Sequence, residues 1–207
     1  TVGYLTEAAN TVGAQWVQAQ PQKDGKNAGE MLTGAIKAAI LLNTEPAFDA
    51  AAGAKGLEQA DMVITLSPFK ANLDISDVLL PVAPFTETSG TFVNVEGRVQ
   101  SFHAVVKPLG ETRPAWKVLR VLANLLELPG FDYESSQDVL TAAIGAETKE
   151  VPSALRSNIT KVAAKVPENE AAEPVTASIY QLDGIVPRAT SLQLTADARL
   201  AREGGAA

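Results

Sequence analysis

Two short, almost uninterrupted apolar runs constrain the fold of this chain more than any other feature. They are residues 36–42 (IKAAILL) and 62–66 (MVITL). Runs of this length without polar alternation are typical of strands buried on both faces of a parallel sheet. Pro46 ends the first run because it cannot continue a strand ladder, and residues 47–60 then read as a helix. Strand, helix and strand in this order predict a right-handed βαβ unit.

A third apolar piece and a β-hairpin follow this unit. The piece at 78–82 is short and contains Pro81. Residues 91–95 and 98–106 place apolar side chains at spacings close to those of strands, and Glu96-Gly97 between them predicts a turn. We therefore expect a hairpin after the parallel sheet.

Helix signals accompany these strands. Pro114 at the start and Pro129-Gly130 at the end delimit an amphipathic helix. Ser135 with Asp138 has the pattern of a capping box and predicts a further short helix. Together these elements predict an α/β fold, in which a Rossmann-like parallel sheet has flanking helices and a β-hairpin.

The character of the sequence changes near residue 146. Residues 1–146 hold the predicted α/β domain, and residues 147–207 form an extension. The sequence of the extension predicts a helix at 152–166. An acidic linker with little to bury follows at 167–174, and a short β-like stretch at 178–194. We expect a partly extended C-terminal tail.

Composition excludes several classes of function. The chain has 207 residues, no cysteine and one histidine, so it cannot ligate an iron–sulfur cluster through thiolates or form a Cys/His zinc site. Its net charge of −7 disfavours sequence-independent binding to nucleic acid. No apolar run approaches the roughly 20 residues that span a bilayer, so we expect no direct membrane insertion. Because the chain begins at Thr1 without an initiator Met, we expect it to be a piece of a longer polypeptide.

Residues 87–100 (ETSGTFVNVEGRVQ) concentrate special backbone positions in what otherwise reads as a hairpin. Gly90 and Gly97 each permit a positive φ or a close backbone approach, as a tight turn or a bulge requires. Asn94 tolerates left-handed geometry and can fasten a loop through its side chain.

Charged groups in the same segment allow two interpretations. Arg98 offers a planar five-donor fork that suits Glu87 or Glu96, or an anionic ligand. The segment is then either a pocket wall beside a bound ligand, or a network in which the acids and the arginine satisfy each other. The residues alone leave both open.

Other candidate residues do not assemble a catalytic or metal site. His103 has no nucleophile motif beside it and lies in a strand-like stretch, so we expect a packed or surface histidine. Asp74 and Asp77 lack a third ligand nearby, which favours a solvated loop. We predict no catalytic residue and no metal site.

The segment 87–98 resembles a signature of the molybdopterin oxidoreductase superfamily, Glu-x-x-Gly-Thr-Phe-x-Asn-x-Glu-Gly-Arg. It follows Ser76-Asp-Val-Leu-Leu-Pro81, which is similar to the family's Ala-Asp-Val-Val-Leu-Pro. The resemblance implies an α/β domain that in catalytic members helps to bind one of two pterin-dinucleotides. If a ligand binds, the family-signature positions that would meet it are Glu45, Glu87, Gly90, Thr91, Asn94, Glu96, Gly97 and Arg98.

Two loops depart from the family pattern. Glu45 stands where the family's Gly-x-Asn-Pro has Asn, and Ala71-Asn-Leu-Asp74 replaces Thr-Glu-Thr-Ala. Since both loops touch cofactor in catalytic members, the departures imply that this chain binds none. They agree with the C-terminal part of the large iron–sulfur subunit of bacterial NADH:quinone oxidoreductase, respiratory complex I, whose similar domain is understood to hold no pterin. That subunit also has stretches similar to Glu7-Ala-Ala-Asn10, Val12-Gly-Ala14 and residues 179–188.

The resemblance implies a structural and assembly role without a catalytic centre. The chain would belong to the peripheral arm of complex I, on the cytoplasmic side of the bacterial inner membrane, with other peripheral-arm subunits as partners. Iron–sulfur clusters would lie in the N-terminal part of the parent subunit, and the whole complex would pass electrons from NADH to quinone. Two alternatives stay open. One is a pterin-dinucleotide-binding fragment of a molybdenum or tungsten oxidoreductase such as formate dehydrogenase. The other, an unrelated nucleotide-binding module, lacks a glycine-rich phosphate turn.

Overall fold

Two small sheets organise the part of the chain that the structure describes. The structure, a computed structural model, describes residue 6 and residues 8–50, 53–155, 180 and 185–204. A three-stranded parallel sheet has the order β1-β2-β3, and β4 pairs with β5 in a separate antiparallel hairpin. The strands are β1 (Ala38–Leu42), β2 (Met62–Ser67), β3 (Val78–Pro81), β4 (Gly90–Val93) and β5 (Val99–Phe102).

Short helices surround these sheets. In the described residues they are α1 (Thr11–Trp16), α2 (Ala28–Thr33), α3 (Pro46–Asp49), α4 (Ala115–Leu125), α5 (Ser136–Ile144), α6 (Thr190–Gln193) and α7 (Ala196–Gly204). Parallel strands, helices and a hairpin confirm the predicted α/β fold. None of the helices in the described residues is long and apolar enough to cross a membrane.

The core lies on one face of the parallel sheet. Leu41 of β1, Val63 of β2 and Leu57 from the connection between them form a buried cluster. Leu32 of α2 and Ile75, which precedes β3, pack against it. Both connections between the strands therefore lie on this face.

The connection between β1 and β2 is not the single helix predicted for residues 47–60. The helix α3 ends at Asp49, and Ala50 is extended with φ −135° and ψ 135°. Gly53 has φ +61°, a left-handed conformation that interrupts an α-helix, and a 3₁₀ turn follows at Lys55–Leu57. Alanine-rich composition favours a helix here, but the extended Ala50 and the left-handed Gly53 interrupt it.

The composition of the first apolar run predicts a strand that is buried on both faces, but the structure does not bury this run on both faces. It forms the edge strand β1, where Ile40 is 48% exposed. The second run forms the central strand β2, in which Val63, Thr65 and Leu66 are buried. Apolar character alone does not distinguish an edge strand from a central one.

The two later helices confirm their predicted boundaries. Helix α4 begins directly after Pro114 and ends before Pro129-Gly130. Helix α5 has the predicted capping box, in which the Ser135 hydroxyl accepts from the Asp138 N–H and the Asp138 carboxylate accepts from the Ser135 N–H. Hydrogen bonds from the backbone and side chain of Ser135, and then from the Glu134 N–H, lower the pKa of Asp138.

The β-like interpretation of residues 178–194 is wrong where the structure describes them. A 3₁₀ turn covers Val186–Arg188, and the helices α6 and α7 follow it. Residues 153–155 form another 3₁₀ turn. The rest of the predicted helix at 152–166 and the linker at 167–174 lie outside the described residues.

Candidate functional site

The tip of the hairpin is fastened by Asn94. Its side-chain oxygen accepts from the N–H groups of Glu96 at 3.1 Å and Arg98 at 2.9 Å. Gly97 has φ +84° and donates its N–H to the Asn94 carbonyl at 2.9 Å. The Gly97 carbonyl in turn accepts from Val151 at 2.7 Å, which ties the tip to the chain beyond α5. Asn94 and Gly97 thus have the turn roles that their residue types predict.

Arg98 pairs with Glu96 and not with Glu87. The Arg98 Nε lies 3.7 Å from a Glu96 oxygen, and both side chains are about two-thirds exposed, at 67% and 70%. An exposed pair at this distance contributes little to stability. This pair therefore lies on the surface of the hairpin tip and encloses no pocket.

The base of the hairpin explains Gly90. This residue opens β4 opposite Phe102 of β5, and a Cβ there would lie 2.5 Å from the Phe102 ring. Glycine is required at this position because the backbone lies close to the Phe102 ring, and not because the residue has a positive φ. Beside it, the hydroxyls of Thr91 and Ser101 bond across the strands at 2.9 Å, and the Phe92 ring stacks on Phe102 with centroids 5.6 Å apart.

Glu87 fastens a neighbouring loop. It ends a 3₁₀ turn at Phe85–Glu87, and its carboxylate accepts from the Leu109 N–H at 2.9 Å. The Val105 N–H donates to the Thr86 carbonyl in the same region. The acid therefore holds the loop that follows β5 and does not reach Arg98.

The N-terminal segment is attached to the hairpin through Asn10. The Asn10 side-chain oxygen accepts from the Val93 N–H at 2.8 Å. A Cβ on Gly13 would lie 2.2 Å from that same oxygen, so the glycine keeps the path of the Asn10 side chain open. Asn10 belongs to a stretch that resembles the family, but the sequence alone does not predict this hydrogen bond, because Val93 lies 83 residues away.

A cavity of about 380 Å³ lies between α1, the hairpin and α5. Its walls are mostly apolar, with Val17, Trp116 and Leu140 among them. His103 lies at this cavity and is exposed. Among the described residues, no group of three His, Cys, Asp or Glu side chains is placed to hold a metal ion.

A polar cluster of Arg188, Glu45 and Asp49 lies at the carboxyl end of β1. Open α/β sheets bind their ligands at this end of the strands. Arg188 donates from Nε to Glu45 at 2.8 Å and from a terminal nitrogen to Asp49 at 2.8 Å. Its guanidinium also lies 5.1 Å from the centre of the Phe48 ring. The three charged side chains are only about one-third exposed, at 31%, 27% and 34% for Arg188, Glu45 and Asp49.

Asp49 also organises the loop beneath this cluster. Its second oxygen accepts from the Glu45 N–H at 2.7 Å and from the Thr44 hydroxyl at 3.3 Å. Partial burial raises the pKa of Asp49, but the Glu45 N–H and the Arg188 guanidinium outweigh burial and leave this pKa below its ordinary value. Burial likewise lowers the pKa of Arg188, while its two carboxylate partners raise it above its ordinary value. Asp49 and Arg188 are thus both ionised near neutral pH.

A neighbouring loop supports the same edge. The Asn72 side chain donates to the Thr44 carbonyl at 2.9 Å, and Asn72 itself has φ +54°. The Thr65 hydroxyl and the Ser76 hydroxyl lie 2.7 Å apart. Asn72 belongs to the segment that departs from the family pattern, and here it links the loops that follow β1 and β2.

The sequence-predicted positions do not come together in one site. Asn94, Glu96, Gly97 and Arg98 lie at the hairpin tip, Gly90 and Thr91 at its base, and Glu87 in the adjacent turn. Glu45 lies apart from all of them, with Arg188 and Asp49. No local pattern could identify this cluster, because Arg188 and Glu45 are 143 residues apart.

Comparisons with known proteins agree with this arrangement of elements. A family model described as molybdopterin oxidoreductase matches residues 1–125. A protein of Staphylococcus aureus (strain bovine RF122 / ET3-1), provisionally named a formate dehydrogenase, is 39% identical over 77 residues, which are 37% of this chain and 8% of that protein. YjgC of Bacillus subtilis (strain 168), provisionally named an oxidoreductase, is 40% identical over 70 residues, which are 34% of this chain and 7% of that protein.

The matched segments thus span less than a tenth of the length of these relatives. The family model, by contrast, covers more than half of the present chain, including the parallel sheet, the hairpin and α4. This chain belongs to the molybdopterin oxidoreductase family.

Proposed function

We propose that this chain is a non-catalytic, supporting part of a larger oxidoreductase and that it holds no pterin-dinucleotide at the edge after β1. The bridge from Arg188 to Glu45 and Asp49 carries this proposal. Glu45 stands in the loop at the position where the family has Asn. Arg188, which belongs to the C-terminal segment, pairs with this glutamate.

The charges at this edge do not suit a pterin-dinucleotide. Its pyrophosphate is an anion, and anions bind where backbone N–H groups or unpaired cations converge. Here two carboxylates and one guanidinium leave one net negative charge among Glu45, Asp49 and Arg188. The Glu45 N–H, which could otherwise face a phosphate, already donates to Asp49. A pyrophosphate would have to displace Arg188 and then face both acids.

At a finer level, we propose that the larger enzyme is the NADH:quinone oxidoreductase of a bacterial inner membrane. The altered loops at Glu45 and at 71–74 support this assignment, as does a chain without cysteine, whose redox centres would lie elsewhere. The partners would be other peripheral-arm subunits on the cytoplasmic side. This chain would give them a folded surface and would transfer no electrons itself.

A variant enzyme purified from its natural host tests the supporting role. Arg188→Met should reduce the amount of assembled complex, measured by co-purifying subunits, because it loosens the C-terminal segment. NADH:quinone turnover per assembled complex should stay unchanged. Lower turnover per assembled complex, with assembly intact, would contradict a supporting role.

The second candidate is a pterin-dinucleotide-binding part of a formate dehydrogenase-like enzyme. The names of the relatives favour it, since several are provisionally named formate dehydrogenases. The hairpin signature supports it at the level of the family. It predicts formate-dependent reduction of an artificial acceptor by the full-length enzyme and pterin in stoichiometric amount, neither of which the first proposal expects.

A further inference from the structure

Trp116 of α4 lies between two concave regions of different character. It lines the cavity between α1, the hairpin and α5, and it also lines a neighbouring cleft of about 500 Å³. Ser89 and Ser136 are shared by the cavity and the cleft in the same way. The two regions therefore adjoin at Trp116, and a molecule longer than the cavity would extend past this side chain into the cleft.

The cavity has the character of a site for an apolar group. None of the described residues that line it is Lys, Arg, Asp or Glu. Val17 of α1, Phe102 of β5 and Leu140 of α5 contribute apolar side chains from three elements. The volume of about 380 Å³ lies within the range of roughly 300–1,000 Å³ that small-molecule sites occupy. An uncharged, apolar body suits these walls, since a charged group would lose its water there without gaining a partner of opposite charge.

The cleft has the opposite character. One acid and three bases line it, namely Glu87, Lys107, Arg113 and Lys117. The acid is already engaged, because its carboxylate accepts the Leu109 N–H at 2.9 Å. Among the described residues, none of the three bases forms an ion pair with an acid. Three cations and one acid leave two net positive charges, on a chain whose net charge is −7, so the cleft favours an anion.

One of these cations lies where the cleft meets the cavity. The Lys117 ammonium is 5.4 Å from the centre of the Trp116 ring, and the Lys117 side chain is exposed. Lys107 is exposed as well, so both ammonium groups can reach a ligand without leaving an acidic partner. The charged end of a molecule seated in the cavity would emerge beside Lys117.

We propose that the cavity and the cleft together bind a free fatty acid of medium chain length. The alkyl chain would lie in the cavity against Phe102, Trp116 and Leu140. The carboxylate would lie beyond Trp116, beside Lys107 and Lys117. A purely apolar molecule would leave the cations of the cleft without a partner, and a small anion would leave the cavity unfilled, whereas a fatty acid uses both. This site shares no residue with the edge after β1, so its test and the test of the supporting role can fail independently.

Calorimetric titration of the full-length polypeptide tests the proposal. Octanoate should bind, and decanoate should bind about fifteenfold more tightly, because two more methylenes are buried. The neutral 1-octanol, which keeps the alkyl chain, should bind at least about threefold more weakly than octanoate. Equal affinities for the two acids, tighter binding of 1-octanol or no binding of either acid would overturn the proposal. Binding to vesicles of anionic phospholipid without binding of either free acid would identify a membrane surface as the partner and would also refute it.

Matched double variants test the cleft. Lys107→Gln with Lys117→Gln should weaken octanoate binding by about tenfold and leave 1-octanol binding unchanged. Lys70→Gln with Lys149→Gln removes the same charge from exposed positions outside the cleft and should leave octanoate binding within about twofold. Equal losses in the two double variants would show only a long-range effect of charge and would refute the cleft as the carboxylate site.

Neighbouring alanines of α5 test the cavity. Ala143 lines the cavity and Ala142 does not, and both are exposed, so neither substitution burdens the core. Ala143→Trp should fill the cavity and abolish binding of octanoate and 1-octanol, whereas Ala142→Trp should bind both as the wild type does. Unchanged binding in Ala143→Trp would place the ligand elsewhere and overturn the proposal. Binding of octanoate by this chain alone, but not by the full-length polypeptide, would show that the rest of the polypeptide fills the cavity and would overturn it too.

Discussion

Replacing Arg188 with Met removes the guanidinium at the edge after β1 and keeps an apolar stem beside Phe48. Glu45 and Asp49 each lose a 2.8 Å ionic hydrogen bond, and Phe48 loses a cation 5.1 Å from its ring centre. We expect the segment 185–204 to separate from the sheet more often in this variant.

The magnitude follows from the three contacts that Arg188 makes with Glu45, Asp49 and Phe48 among the described residues. Each partly exposed ion pair contributes about 0.5–1 kcal/mol, given how far these side chains are screened by solvent. The contact with the Phe48 ring adds about 0.5–1 kcal/mol. Together they give roughly 1.5–3 kcal/mol, which is about a 10- to 150-fold change in the opening equilibrium of the segment.

Amide exchange of the segment measures this opening. The N–H groups of Leu192 and Gln193 both donate to the carbonyl of Ala189, the N-cap of α6, and report on the folded segment. Their exchange should accelerate by the factor above in Arg188→Met. Arg199→Met, an exposed arginine on α7, is the matched control and should leave the rates within about twofold. Equal rates in the two variants would show that the bridge does not hold the segment, and the account of this edge would be wrong.

Three further perturbations test the structure elsewhere. The bridge of Asp49 contributes fully to stability above the ordinary pKa of an Asp carboxyl, and this contribution should be lost as pH falls through the lowered pKa of Asp49. Exchange of the Gln193 amide should therefore show an acid step in the wild type and not in Asp49→Asn. Gly56→Ala should destabilise the chain in urea unfolding by about 1–3 kcal/mol, because its Cβ would lie 2.2 Å from the Leu32 carbonyl oxygen, a backbone atom that cannot yield. The matched Gly29→Ala in α2 meets only the Asn27 side-chain oxygen, at 3.3 Å, and should be neutral or stabilising, so equal losses would contradict the packing. Asn94→Ala should cost about 1–2 kcal/mol by freeing two N–H groups at the hairpin tip, and Asn94→Asp, which keeps the acceptor, should restore most of that stability.

Features that depend on a few neighbouring residues could be predicted from the sequence. The capping box of Ser135 and Asp138 closes within four residues, and Pro114 marks the start of α4 by its own backbone constraint. Asn94 and Gly97 form a turn from adjacent atoms. In each case the chemistry that determines the structure lies within one turn of the chain.

Features that depend on distant partners could not be predicted. Gly90 is required by the Phe102 ring across the hairpin, and the interruption after α3 brings Gly56 against the backbone of Leu32. The bridge from Arg188 to Glu45 joins residues 143 apart, and neither residue has a local pattern that identifies the other. Glu45 could be recognised as unusual for the family, but its partner could be identified only from the fold.

The pterin and metal content of the full-length polypeptide tests the central claim most directly. The polypeptide, purified without chelators from its natural source, would be oxidised to release fluorescent pterin and measured for molybdenum and tungsten, with an active formate dehydrogenase as the positive control. Because Arg188, Glu45 and Asp49 close the edge after β1, we predict pterin and metal far below one per polypeptide. Stoichiometric pterin with either metal would contradict the account and would support the pterin-dinucleotide-binding alternative.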